Sequence, residues 1–129
     1  MQIKTLNWMV VLFAAALLGG CDKPDRFADG WERGGNLHDV SLREWAFATD
    51  ANRLASTADF VREYLPDLPA DALPLSSALI EECLTESSHA APADGIKVRS
   101  SIKPCIDYAQ QKAKWLAQEY AKKKQTSSN

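Results

Sequence analysis

Two stretches of this chain carry apolar residues at alternating spacings of three and four, which is the period of one helix face and not of a strand. The first runs through Phe47, Ala51, Leu54, Ala58, Val61 and Leu65. The second runs through Ile102, Ile106, Ala109, Ala113, Leu116 and Tyr120. Ser41-Leu-Arg-Glu44 is a capping box that opens the first helix, with Val40 and Trp45 at the two staple positions. Pro66 ends it, because the residue before a proline avoids helical geometry. The second long helix is expected from about Ser101 or Ile102, with Pro104 tolerated in the first turn and Lys122, Lys123 and Lys124 at the closing end. A shorter helix from Ser76 or Ser77 to about Glu86 lies between two connectors, 66–74 and 87–99. Ile96 to Arg99 reads as a brief extended piece. With 129 residues and no strand-like alternation, the expectation is an all-α, small three-helix domain over 40–124 with a frayed tail at 125–129.

The beginning of the chain has a different character. Trp8 to Leu18 is an apolar run too short for the roughly 18–20 residues of a spanning helix. It suits the hydrophobic core of a signal peptide, preceded by Lys4. Leu18-Gly19-Gly20-Cys21 resembles the lipobox of bacterial lipoproteins. That resemblance implies cleavage before Cys21, a thioether-linked diacylglycerol on its sulfur, and a further acyl chain on the new amino terminus. Two or three acyl chains anchor stably where one does not. The resemblance implies an envelope location facing the periplasm, and Asp22 favours the inner membrane over the outer. Residues 1–20 are then the signal peptide and 21–39 a lipidated, flexible tether, rich in polar residues with Gly30, Gly34 and Gly35.

Of the three cysteines, this assignment leaves Cys83 and Cys105 in an oxidising compartment. One falls late in the short helix and the other early in the second long one, so a turned-back connector pairs them as a structural disulfide. They lack the Cys-x-x-Cys spacing of a reactive redox pair.

Charge divides the chain. Residues 22–96 carry 15 acidic and 6 basic side chains, whereas 97–129 carry 2 and 8. A formal net charge of −2 and a pI of about 5.6 argue against a dedicated nucleic-acid binder. The two histidines, His38 and His89, fall in expected irregular segments and do not supply a zinc ligand set. Ser87-Ser88-His89 has no glycine-flanked elbow and no orienting acid. Glu81, Glu82 and Glu86 read as a solvated helix face. No glycine-rich phosphate loop occurs. No catalytic, metal or cofactor site is therefore expected.

The reading that follows is a non-enzymatic envelope lipoprotein that binds, inhibits or scaffolds another envelope protein. Accessory subunits of secretion or conjugation systems, exclusion factors and immunity proteins share its size and address. A small-ligand or lipid carrier, or a small envelope hydrolase, is the alternative. The membrane partner acts through lipid on Cys21. Contact candidates are Trp31, Trp45, Trp115, Tyr120, Lys122, Lys123 and Lys124, with Trp45 and Trp115 also suited to the core and Trp31 suited to folding back on the domain.

Overall fold

The computed structural model describes residues 25–90 and 92–128. The expected signal peptide and Cys21 lie outside them. The fold is all-helical: α1 (Leu42–Phe47), α2 (Asp50–Tyr64), α3 (Leu73–Ala90) and α4 (Val98–Ser127), with a 3-10 turn at Ala70–Ala72. Central α3 packs against the other three helices. Among the described residues the only β pairing is an isolated antiparallel bridge between Ser41 and Lys97.

The capping box forms as expected. The Ser41 hydroxyl accepts from the Glu44 amide, and the Glu44 carboxylate accepts from the Ser41 amide at 2.8 Å. The Ser41 amide, and the Ser41 hydroxyl that also donates to this carboxylate at 2.9 Å, hold the Glu44 carboxyl below the usual carboxylate range. The first long helix, however, is two helices. Ala48 and Thr49 are both extended, and the Thr49 hydroxyl caps α2 by accepting from the Asn52 amide. The interruption changes the phase of the apolar stripe. Trp45 turns inward and is fully buried, while Phe47 is 82% exposed and Ala51 is exposed. Leu54, Ala58 and Val61 keep their expected inward positions, joined by Phe60, also fully buried.

The flanking helices are longer than the sequence suggests. α3 starts at Leu73, with Pro74 in a first turn that needs no amide donor from it. It continues through His89, so that histidine is helical. Ser76, Ser77, Leu79, Ile80, Glu81, Leu84 and Ser88 are buried along it, whereas Leu75 is 46% exposed. α4 starts at Val98 because the chain before it is pinned. The Leu42 amide donates to the Ile96 carbonyl at 2.8 Å, and the Val98 amide donates to the Val40 carbonyl at 2.9 Å. The extended piece expected near Ile96 is thus real but ends at Lys97. Pro104 consequently sits in the helix interior. Its missing amide removes the donor for the Ser100 carbonyl, and both residues are exposed, so water can take that place.

The Cys83–Cys105 disulfide closes α3 onto α4, with Cα atoms 5.5 Å apart. Cys105 is buried in the same core as Leu42, Trp45, Phe60, Ile80, Leu84, Val98 and Ile102.

Much of the expected tether is folded. Gly30 and Gly34 have φ of 80° and 81°, left-handed turns that glycine makes without strain. A side chain on Gly35 would collide with the backbone of Ala55 and Ser56, so the chain lies directly on α2 there. The Leu37 amide donates to the Ser56 hydroxyl at 3.1 Å, and Leu37 is buried. His38 Nε2 meets Asp59 Oδ2 at 3.0 Å while its ring stands edge-on to Phe60. Side-chain-to-backbone bonds hold this segment, and they leave no apolar period to read.

Candidate functional site

A polar cluster links the N-terminal segment to the helices. Arg26 forms a two-pronged pair with Asp50, at 2.7 and 2.9 Å, and reaches Glu81 at 3.2 Å. Arg53 meets the other Glu81 oxygen at 2.8 Å and donates to the Ala48 carbonyl at 2.7 Å. The Thr85 hydroxyl donates to Glu81, and the Trp45 indole N–H donates to that hydroxyl at 3.2 Å. Glu81 is therefore a buried, fully engaged carboxylate and not part of a solvated face. The Arg26 pairing holds the Asp50 carboxyl below its usual range, and Asp50 in turn raises Arg26. Every charge here has its counter-charge, so the cluster explains rigidity: it braces the break between α1 and α2 at the Ala48 carbonyl.

The contact candidates separate by position. Trp45 is removed from the set by complete burial. Trp31 is partly buried and stands edge-on to Phe27 of its own segment, ring centres 5.0 Å apart. Trp115 is 55% exposed and Tyr120 73% exposed, which takes Trp115 out of the core. These two flank a groove of about 540 Å³ lined by Leu75, Ala113, Trp115, Leu116, Ala117, Glu119, Tyr120 and Lys123.

The groove exists because α4 outruns the body. Its 30 residues span about 45 Å. Ile102, Ile106 and Ala109 of its stripe are buried, Ala113 and Leu116 are half-buried, and Tyr120 and the described residues after it, 121–128, are exposed. The stripe therefore continues past the last helix able to cover it. Lys112, at the edge of the body, donates to Glu82 and to the Tyr108 hydroxyl, and these bonds, Tyr108 first, raise it above the usual lysine range. Lys122 pairs with Glu119 at 2.9 Å. Lys114, Lys123 and Lys124 have no ion pair among the described residues.

Phe47, with Tyr64, is an exposed aromatic that sequence reasoning missed. It borders a shallow cleft with Arg43, Ser88, His89 and Pro92. Thr49-Asp50 is a second capping signal inside the first stripe, and it could have revealed the interruption. Among the described residues no group of three or more His, Cys, Asp or Glu side chains is placed to hold a metal ion. No described helix is long and apolar enough to cross a membrane. No protein-family model, curated protein or solved structure matches this chain.

Proposed function

We propose that this chain is a membrane-anchored envelope lipoprotein acting as a non-enzymatic factor that binds, inhibits or scaffolds another envelope protein. The anchor rests on Leu18-Gly19-Gly20-Cys21, and the binding role rests on one observation above all. Trp115, Tyr120 and Leu75 remain exposed together on a domain that buries Trp45 and Phe60 completely. Large aromatics grouped on an exposed surface are the residue types that anchor protein interfaces. A disulfide across the two longest helices suits an exported protein.

Labelled palmitate and crosslinked co-purification from native envelopes test the two halves. The expected result is label on the wild type, none on Cys21→Ser, and a stoichiometric envelope protein retained with the lipidated form. Unlabelled wild-type protein would remove the anchor. Membrane-wide crosslinking that yields no protein partner would remove the binding role.

A further inference from the structure

We propose that the corner between α1 and α2 rests on the bilayer that holds the lipid of Cys21, with Phe47 entering the headgroup layer. This inference rests on the lipid-anchor reading and adds which surface of the domain meets the membrane.

The length of chain between anchor and body carries the argument. A free tether from Cys21 to Asp39 would reach up to about 60 Å. Docking of the segment removes most of that reach. Asp39 is bound to Arg99, the Leu37 amide to Ser56, Asn36 to Asn52 in both directions, and Arg26 to Asp50 and Glu81. Asp25, where the described segment starts, is four residues from Cys21. Four residues span at most about 14 Å. A small domain is roughly 30 Å across, so the leash is shorter than the body it holds.

The leash attaches beside Phe47. Arg26 grips Asp50 at 2.7 Å, and Asp50 follows Phe47 by three residues, at most about 11 Å of chain. Arg26 and Arg53 also hold the two oxygens of Glu81, and Arg53 donates to the carbonyl of Ala48, the residue next to Phe47. Segment and corner are thus bolted together. Among the described residues Phe47 is the most exposed large apolar side chain. Arg43 pairs with Asp94 at 3.0 Å, Asp50 with Arg26 and Arg53 with Glu81, so these charges neutralise one another as the corner nears the headgroups. One phenylalanine binds a membrane weakly. On so short a leash the contact is intramolecular, its effective concentration is high, and a weak contact is populated. The bilayer is the surface that the anchor always keeps within reach.

This contact also orients the domain. Phe47 meets α3 at Ser88 and His89, whereas the Trp115–Tyr120 groove meets it at Leu75. Those positions are about 20 Å apart along the helix, so contact at Phe47 keeps the groove clear of the bilayer.

The test places the full lipidated protein in phosphatidylcholine vesicles that carry a nitroxide just below the headgroups. Separate variants, Phe47→Cys, Asp67→Cys and Tyr120→Cys, bear a nitrobenzoxadiazole label on the new thiol, which at 47 stands in for the ring. Asp67 is exposed beyond the far end of α2. The label at 47 is expected to shift its emission to the blue and lose most of it to the nitroxide. Labels at 67 and 120 should keep the emission they show in water. A glycine–serine insertion of about twenty residues between Pro24 and Asp25 adds about 25 Å of reach and should restore most of the emission at 47. Flotation with the vesicles and the mass of the amino-terminal peptide report the anchor separately. A lipidated, floating protein whose label at 47 stays aqueous would overturn this inference and keep the anchor. A protein without lipid on Cys21 would overturn both. Equal quenching at 120 would lay α4 on the bilayer instead, and quenching at 47 unchanged by the longer leash would remove the leash as its cause. A blue shift seen only at high protein-to-lipid ratio would assign Phe47 to a second copy. Each of these three overturns the inference.

Discussion

Replacing Cys83 and Cys105 together by alanine removes the covalent link between α3 and α4 and leaves both helices free to form. The two residues are 22 positions apart. For a loop of that size the chain-entropy relation assigns about 11 cal/mol/K, or about 3 kcal/mol at 25 °C, to the constraint on the unfolded chain. Against the roughly 5–15 kcal/mol of a small domain, that is a large share. The sulfur of Cys105 is buried, so its removal adds a small packing loss of the same sign. Urea unfolding followed by far-ultraviolet circular dichroism should therefore show the variant destabilised by about 3 kcal/mol. The thermal midpoint should fall by about 10–20 °C. The slope on urea should steepen, because an unlinked chain exposes more surface when it unfolds. Reductant should shift the wild type toward the variant and leave the variant unmoved. A loss below about 1 kcal/mol would refute the reasoning, because it would mean that the unfolded chain already keeps residues 83 and 105 together.

Three further outcomes follow from the packing. Phe60→Ala should cost about 3–5 kcal/mol in urea unfolding, while Phe47→Ala should stay within about 0.5 kcal/mol; equal effects would contradict the break after α1. Ser77 carries a buried hydroxyl without a hydrogen-bond partner, so Ser77→Ala should be neutral or stabilising by about 1 kcal/mol, and a clear loss of stability would show that the hydroxyl is bonded. Because Arg26 holds the Asp50 carboxyl below its usual range, the stabilisation from this pair is present above the ordinary aspartate range and lost as pH falls through the depressed value. Nuclear magnetic resonance of the Arg26 side chain and the Leu37 amide should report that release in acid, and Asp50→Asn should show it already at neutral pH with the helical body intact.

Helical class, the capping box at Ser41, the end near Pro66 and the pairing of Cys83 with Cys105 were all legible in the residues, because each depends on local spacing or on counting. The interruption at Ala48–Thr49 was written there too, in Thr49-Asp50, but a stripe drawn from Phe47 to Leu65 passes over it. The break persists because it lets Trp45 enter the core and donate to Thr85 while Arg53 satisfies the Ala48 carbonyl. Those partners lie 40 and 5 residues away, and only the distant one decides where the tryptophan goes.

The contact surface shows the same division. Sequence alone named Trp31, Trp45, Trp115, Tyr120 and the lysines as contact candidates while suiting Trp45 and Trp115 to the core, where only Trp45 is found, and it placed the apolar period that carries Leu116 and Tyr120 along α4. It placed Glu81 in solvent and residues 21–39 in a tether; packing buries Glu81 and docks the described part of that segment, 25–39, on the helices. A carboxylate is buried only where arginines from other segments converge on it, and a polar strand of chain docks only where small residues such as Ala55 and Ser56 let its backbone approach. Periodicity records the face that a helix offers to its neighbours. How far those neighbours extend is a tertiary matter, and here α3 begins at Leu73 and stops covering α4 before its stripe is exhausted. The exposed groove is therefore a consequence of helix lengths and antiparallel register, which no local pattern encodes.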